Sequence, residues 1–154
     1  MREFHMVSST VWPKMKRFPD VAKLAFIYLW TSRHQTSAGA CFLPVHYAAS
    51  DLGWPNRKIS DALSLLSDGG AIHRDFNTDE VFICDWYSVN APRNANHYKG
   101  ILREAGMLQS NEIKETLVAS LRAEMMKREW PRWMDEVKVH LFPDHDELTA
   151  DDLI

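Results

Sequence analysis

Residues 44–70, PVHYAASDLGWPNRKISDALSLLSDGG, hold two apolar stripes separated by a stretch with room only for a turn. Pro44 suits the first turn of a helix, and Val45, Ala48, Ala49 and Leu52 recur at i, i+3, i+4 and i+7, the spacing that lines one helical face. Gly53 supplies the stop. Only Trp54, Pro55 and Asn56 intervene before the next stripe; proline sets the turn and asparagine is a good N-cap. The second stripe is Ile59, Ala62, Leu63 and Leu66, ended by Gly69-Gly70. Two helices of about eight and twelve residues joined by a tight glycine-containing turn are the sequence form of a helix-turn-helix.

Working outward, Val21, Leu24, Ala25, Tyr28 and Leu29 form an earlier helical stripe with Asp20 as its expected N-cap after Pro19. The polar RHQTSAG of residues 33–39 then leads to Ala40-Cys41-Phe42-Leu43, long enough only for a strand stub. On the other side, Ala71–Arg74 and Val81–Cys84 read as two strands around the turn-forming FNTDE. Helix, strand stub, helix, turn, helix and hairpin is the order of a winged helix. The predicted class is therefore mainly α with a small β-hairpin: a winged helix-turn-helix over residues 1–88 and a helical extension over residues 89–154. In such a fold the stub pairs with the last strand of the hairpin, which would bring Cys41 and Cys84 close together as buried, reduced thiols.

In the extension, SVNAPRNAN (residues 88–96) reads as loop and helical sequence resumes near His97. Ile113, Leu117, Leu121 and Met125 then predict a helix from 111 to 128 with Ser110 as N-cap. That stripe is too apolar to leave in water, so it is expected to pack on the winged helix or to form a homodimer. Pro131 breaks or restarts the helix, and a last amphipathic piece to Leu141 precedes the acidic PDHDELTADDLI.

The composition is that of a folded protein: 45% of the 154 residues are hydrophobic, with six Trp, seven Phe and four Tyr. The longest apolar run, Leu24 to Trp30, is far short of the ~20 residues that cross a bilayer, and the N-terminus has no signal-like apolar region, so a cytoplasmic protein without membrane contact is expected. Two cysteines exclude a disulfide framework. No HExxH, P-loop, dinucleotide fingerprint or nucleophile elbow occurs, which predicts a non-enzyme with neither metal nor cofactor. His140, Asp144, His145 and Asp146 are the nearest approach to a ligand cluster and read as surface residues. Residues 1–110 hold 12 Lys and Arg against 10 Asp and Glu, whereas residues 111–154 hold 6 against 11. Neither half has the strongly basic footprint of a tight sequence-independent DNA binder.

If the second helix of the helix-turn-helix enters a DNA groove, Asn56, Arg57, Lys58, Ser60 and Ser64 are its candidate contacts, opposed by Asp61 and Asp68 on the same face. The hairpin offers Arg74 and Asn77 for the backbone, and Lys14, Lys16 and Arg17 form a basic cluster before the first helix. The same face could equally be solvated or dock a protein. Trp12, Trp30 and Trp54 are expected to pack around the helices, while Trp86 and Tyr87 either pack or stack on single-stranded bases.

Several segments resemble the winged-helix replication proteins of bacteriophages and prophages, related to replisome organisers and helicase-loading factors. They are VSSTVW (7–12), AFIYLWTSRHQTSAGACFLPVHYAASDLG (25–53), ALSLLSDGGAI (62–72) and EVFICDWYSVNAPRN (80–94). The resemblance implies DNA binding in replication initiation or its control, with DNA and a replication helicase or loader as partners. The alternatives are a docking adaptor without strong DNA binding and a transcriptional regulator. Many relatives continue into a basic or low-complexity linker and a helicase-engaging domain; the acidic helical sequence here departs from that pattern and leaves room for an accessory role.

Overall fold

A computed structural model describes residues 6–128 and Trp133. The helix-turn-helix segment folds as α3 (Val45–Leu52) and α4 (Asn56–Asp68), which pack on each other, and α4 also packs on α2 (Asp20–Thr31). Gly53 ends α3 with φ +64°, a left-handed conformation that most side chains resist. The caps differ from expectation: Pro19 and Pro55 occupy the N-cap positions, so Asp20 and Asn56 are the first helical residues and neither helix has a side-chain cap. All four apolar residues of the α4 stripe are buried. In α2 the core face is Ala22, Ala25, Phe26, Leu29 and Trp30, while Leu24 is exposed. The shift frees Tyr28 to reach across to α3.

Strand β1 (Ala40–Phe42) joins β2 (Ile72–Asp75) and β3 (Glu80–Ile83) in a three-stranded antiparallel sheet of order β1-β3-β2. The chain is thus mainly α with a small antiparallel sheet. Cys41 pairs opposite Val81, and Cys84 falls one residue beyond β3, so the stub does join the last hairpin strand, with the thiols three residues out of register. Burial pushes the Cys41 thiol up to about 12 and Cys84 to about 11, leaving both protonated near neutrality.

Two short helices go beyond the sequence reading: α1 (Val11–Met15), and α5 (Trp86–Asn90), which overlaps the segment expected to be loop. Each is too brief to show a period. Residue 88, the expected end of the first domain, lies inside α5. Beyond it come α6 (Ala95–Met107), capped by Asn94 accepting from the His97 N–H at 2.8 Å, and α7 (Asn111–Lys127), capped by Ser110 accepting from the Ile113 N–H at 3.2 Å. Helix α7 packs on β2, β3 and α5, so central β3 is buried at every residue. A single apolar cluster runs from Val11 to Met125.

The TSAG loop is held by three side chains far away in sequence. Trp86 Nε1 donates to the Ser37 carbonyl at 3.0 Å, Tyr87 Oη donates to the Ala38 carbonyl at 2.8 Å, and the Glu104 carboxylate accepts from the Ala38 N–H at 2.9 Å. Gly39 has φ +75°, and a Cβ there would lie 2.3 Å from the Trp86 ring. This close approach requires a residue without a side chain at position 39. Among the described residues, no helix is long and apolar enough to cross a membrane. The expected piece to Leu141, the acidic end and the His140, Asp144, His145, Asp146 group lie outside the described residues.

Candidate nucleic-acid interface

The N-terminal end of α4 projects its polar side chains into solvent. Asn56, Arg57 and Lys58 are all exposed, and no side chain caps this end of the helix, whose first N–H groups and dipole favour an anion. The Arg57 side chain is 93% exposed and meets Asp61 only at 3.9 Å, an exposed i, i+4 pair worth about 0.3–0.5 kcal/mol. Lys58 lies over the Trp54 ring at 3.9 Å, a cation–π contact that fixes the ammonium beside the turn.

Further along, the exposed line of α4 is Arg57, Asp61, Leu65 and Asp68, while Ser60 and Ser64 are half-buried on its flank. Leu65, not among the candidate contacts, falls on the helical wheel beside Asp61. With Lys58 included, the outer face carries two cations and two anions.

The remaining candidate contacts are not gathered at this end. Lys14 donates to Asp85 at 2.7 Å, and Arg17 donates to the Gly69 carbonyl, capping the opposite end of α4. Thirteen residues at 1.5 Å each put that end roughly 18–20 Å from Arg57. Lys16 is exposed. In the hairpin Asn77 is exposed at the tip, its N–H donating to Asp75 at 2.8 Å.

Arg74 departs most from expectation. Its side chain is 3% exposed, with the guanidinium 4.5 Å from the centre of the Phe76 ring and 4.0 Å from Asp79. Nε and Nη1 have no hydrogen-bond partner, and burial lowers the guanidinium pKa against the opposing pull of Asp79. With its side chain turned inward, Arg74 does not present the outward-facing cation that its expected backbone contact calls for.

The hairpin is also clamped from outside. Buried Glu80 accepts the backbone N–H groups of Gln109 and Ser110, each at 2.8 Å, where α6 passes into α7. The Ser110 hydroxyl bonds to the Asp75 carboxylate and, with the Asn77 N–H, holds it below the usual carboxylate range.

Trp86 and Tyr87 are 1% exposed and pack in the core, so they present no stacking surface. Trp12, expected to pack, is 60% exposed. Ile113, Leu117, Leu121 and Met125 are buried within the single chain, which leaves that stripe no apolar face to offer a second copy.

A second group became visible only through tertiary contact. Asp51 on α3 accepts from Tyr28 Oη at 2.8 Å and from Arg33 at 2.8 Å, and lies 3.5 Å from His34. His34 stacks on Tyr47 at 5.2 Å between ring centres; His46 and Phe42 meet Tyr47 edge-on at 4.7 and 6.2 Å. Among the described residues, no three His, Cys, Asp or Glu side chains group as a metal site. In comparisons with known proteins, no family model, curated protein or solved structure matches the chain.

Proposed function

We propose that the chain is a winged helix-turn-helix protein that binds duplex DNA with the N-terminal end of α4, in replication initiation of the phage type or in its control. The order helix, strand, helix, turn, helix, hairpin supports the winged-helix reading, as does the pairing of β1 with β3. The observation that carries the DNA reading is the state of the cations. Arg57 and Lys58 stand together at an uncapped helix end, whereas Lys14, Arg17 and Arg74 are engaged within the chain. Arginine at that position reaches base edges in a major groove and as a cation neutralises a flanking phosphate, and the helix end holds another. The role is binding, not catalysis, and the resemblance to phage replication proteins supplies the process.

A second reading has its own observation. Leu65 is 42% exposed between Asp61 and Asp68, and an apolar side chain framed by acids suits a protein partner such as a helicase, a loader or a second copy. Titration of a labelled duplex with Arg57→Ala and Leu65→Ser separates the two. Groove binding expects affinity to fall for Arg57→Ala and to hold for Leu65→Ser. Unchanged duplex binding by Arg57→Ala, with loss of self-association or helicase capture by Leu65→Ser, would establish the docking reading instead.

A further inference from the structure

The group around Tyr47 continues along α3 toward α4. Tyr47 and Asp51 are one helical turn apart on the same side of α3, and Trp54 follows three residues later. Over this line lie Phe42 from the end of β1, His34 and Arg33 from the segment after α2, and Lys58 from α4. Phe42 is 52% exposed and Tyr47 39%, so both rings offer surface to solvent. The only carboxylate among these contacts is Asp51, and both of its oxygens are engaged by Arg33, Tyr28 and His34. Arg33 keeps a 62% exposed side chain, and Lys58 is exposed beyond Trp54. Aromatic rings interleaved with cations are what unpaired nucleotides require: ring faces for bases and positive charge for the phosphates.

We propose that this track, from Phe42 through Tyr47 to Lys58, binds single-stranded nucleic acid. Bases stack on Phe42 and extend the His34–Tyr47 stack, and Arg33 and Lys58 hold phosphates. The proposal shares with the duplex reading its class of ligand and Lys58, while its stacking rings lie on α3 and β1 and not on the outer face of α4. Together they describe a protein that holds a duplex and an adjacent opened strand.

The test is fluorescence anisotropy of the full chain with labelled oligo-dT of about 20 nucleotides, long enough to span such a track, beside a duplex of equal length. Phe42→Leu and Tyr47→Leu keep apolar bulk but remove the ring. Each is expected to weaken oligo-dT binding roughly 5- to 150-fold, the range for one stacked base, and to leave duplex affinity unchanged. Phe42→Trp restores a ring and is expected to bind oligo-dT like the parent. Should Tyr47→Leu fail to fold, the Phe42 pair at the half-exposed strand end decides alone. The proposal is overturned if both leucine variants bind oligo-dT like the parent, or if the parent shows no salt-dependent oligo-dT binding. It is also overturned if those variants lose only self-association by light scattering, which would mark the rings as a protein contact. Duplex binding without oligo-dT binding would leave the groove reading standing alone, and the reverse would leave this one.

Discussion

The N-terminal end of α4 and the β2–β3 hairpin each place an arginine where the sequence reads as a nucleic-acid contact, and the chain treats the two cations in opposite ways. Arg57 stands in solvent with one loose ion pair; Arg74 is enclosed, short of hydrogen bonds and pressed against Phe76. The difference lies in what packs beside each element. The outer face of α4 is left open, whereas the hairpin is fastened on one face to the start of α7 through Glu80 and Ser110 and turns Arg74 to its other face, against Phe76 and Asp79. A cation's availability is thus decided by tertiary contacts that neither its type nor its local turn reveals.

The strongest way to break this comparison is to release the hairpin. Glu80→Ala leaves the buried Ser110 N–H and the neighbouring Gln109 N–H without their acceptor, and charged hydrogen bonds of this kind are worth about 1.5–3 kcal/mol each. A loss of about 3 kcal/mol in urea unfolding is expected, with α7 losing hydrogen-exchange protection along with the sheet. Arg57→Ala comes next, at about 1–3 kcal/mol of duplex affinity with unfolding changed by no more than about 0.5 kcal/mol. Arg74→Met should change stability by less than about 1 kcal/mol in either direction, because a buried cation with one long ion pair and two nitrogens lacking hydrogen bonds gains little over an apolar side chain of similar length; calorimetric unfolding reads this directly. The smallest effect is Asp61→Asn, which removes both the Arg57 ion pair and a phosphate repulsion and should strengthen duplex binding by a few tenths of a kcal/mol. No gain there, with a weakened protein partner, would move α4 to the docking reading.

The helix-turn-helix was legible because each boundary carries its own chemistry: Gly53 for the left-handed stop, Pro55 for the turn, and the Ile59, Ala62, Leu63, Leu66 stripe for the buried face. Ser110 was legible as a cap for the same reason. Helices α1 and α5 were not, since five residues cannot display a 3.6-residue period. At the site, the sequence names Arg57 and Lys58, which the fold leaves exposed, but nothing in it shows that the Arg74 side chain turns inward against Phe76 and Asp79. The Phe42, His34, Tyr47, Arg33 group was invisible for a related reason. Its members come from three segments joined through Asp51, and no spacing within any one of them marks the others.

On the proposed reading, duplex contact runs through the N-terminal end of α4 and not through the hairpin arginine. Its most direct test is the salt dependence of duplex affinity, because each phosphate contact contributes a slope of about −0.9 in log K against log salt. The parent should bind a random duplex with a clear negative slope, Arg57→Ala should bind more weakly with a slope shallower by about one unit, and Arg74→Met should match the parent in both. A parent without a salt slope, or an Arg57→Ala line that coincides with the parent's while that of Arg74→Met flattens, would contradict the account.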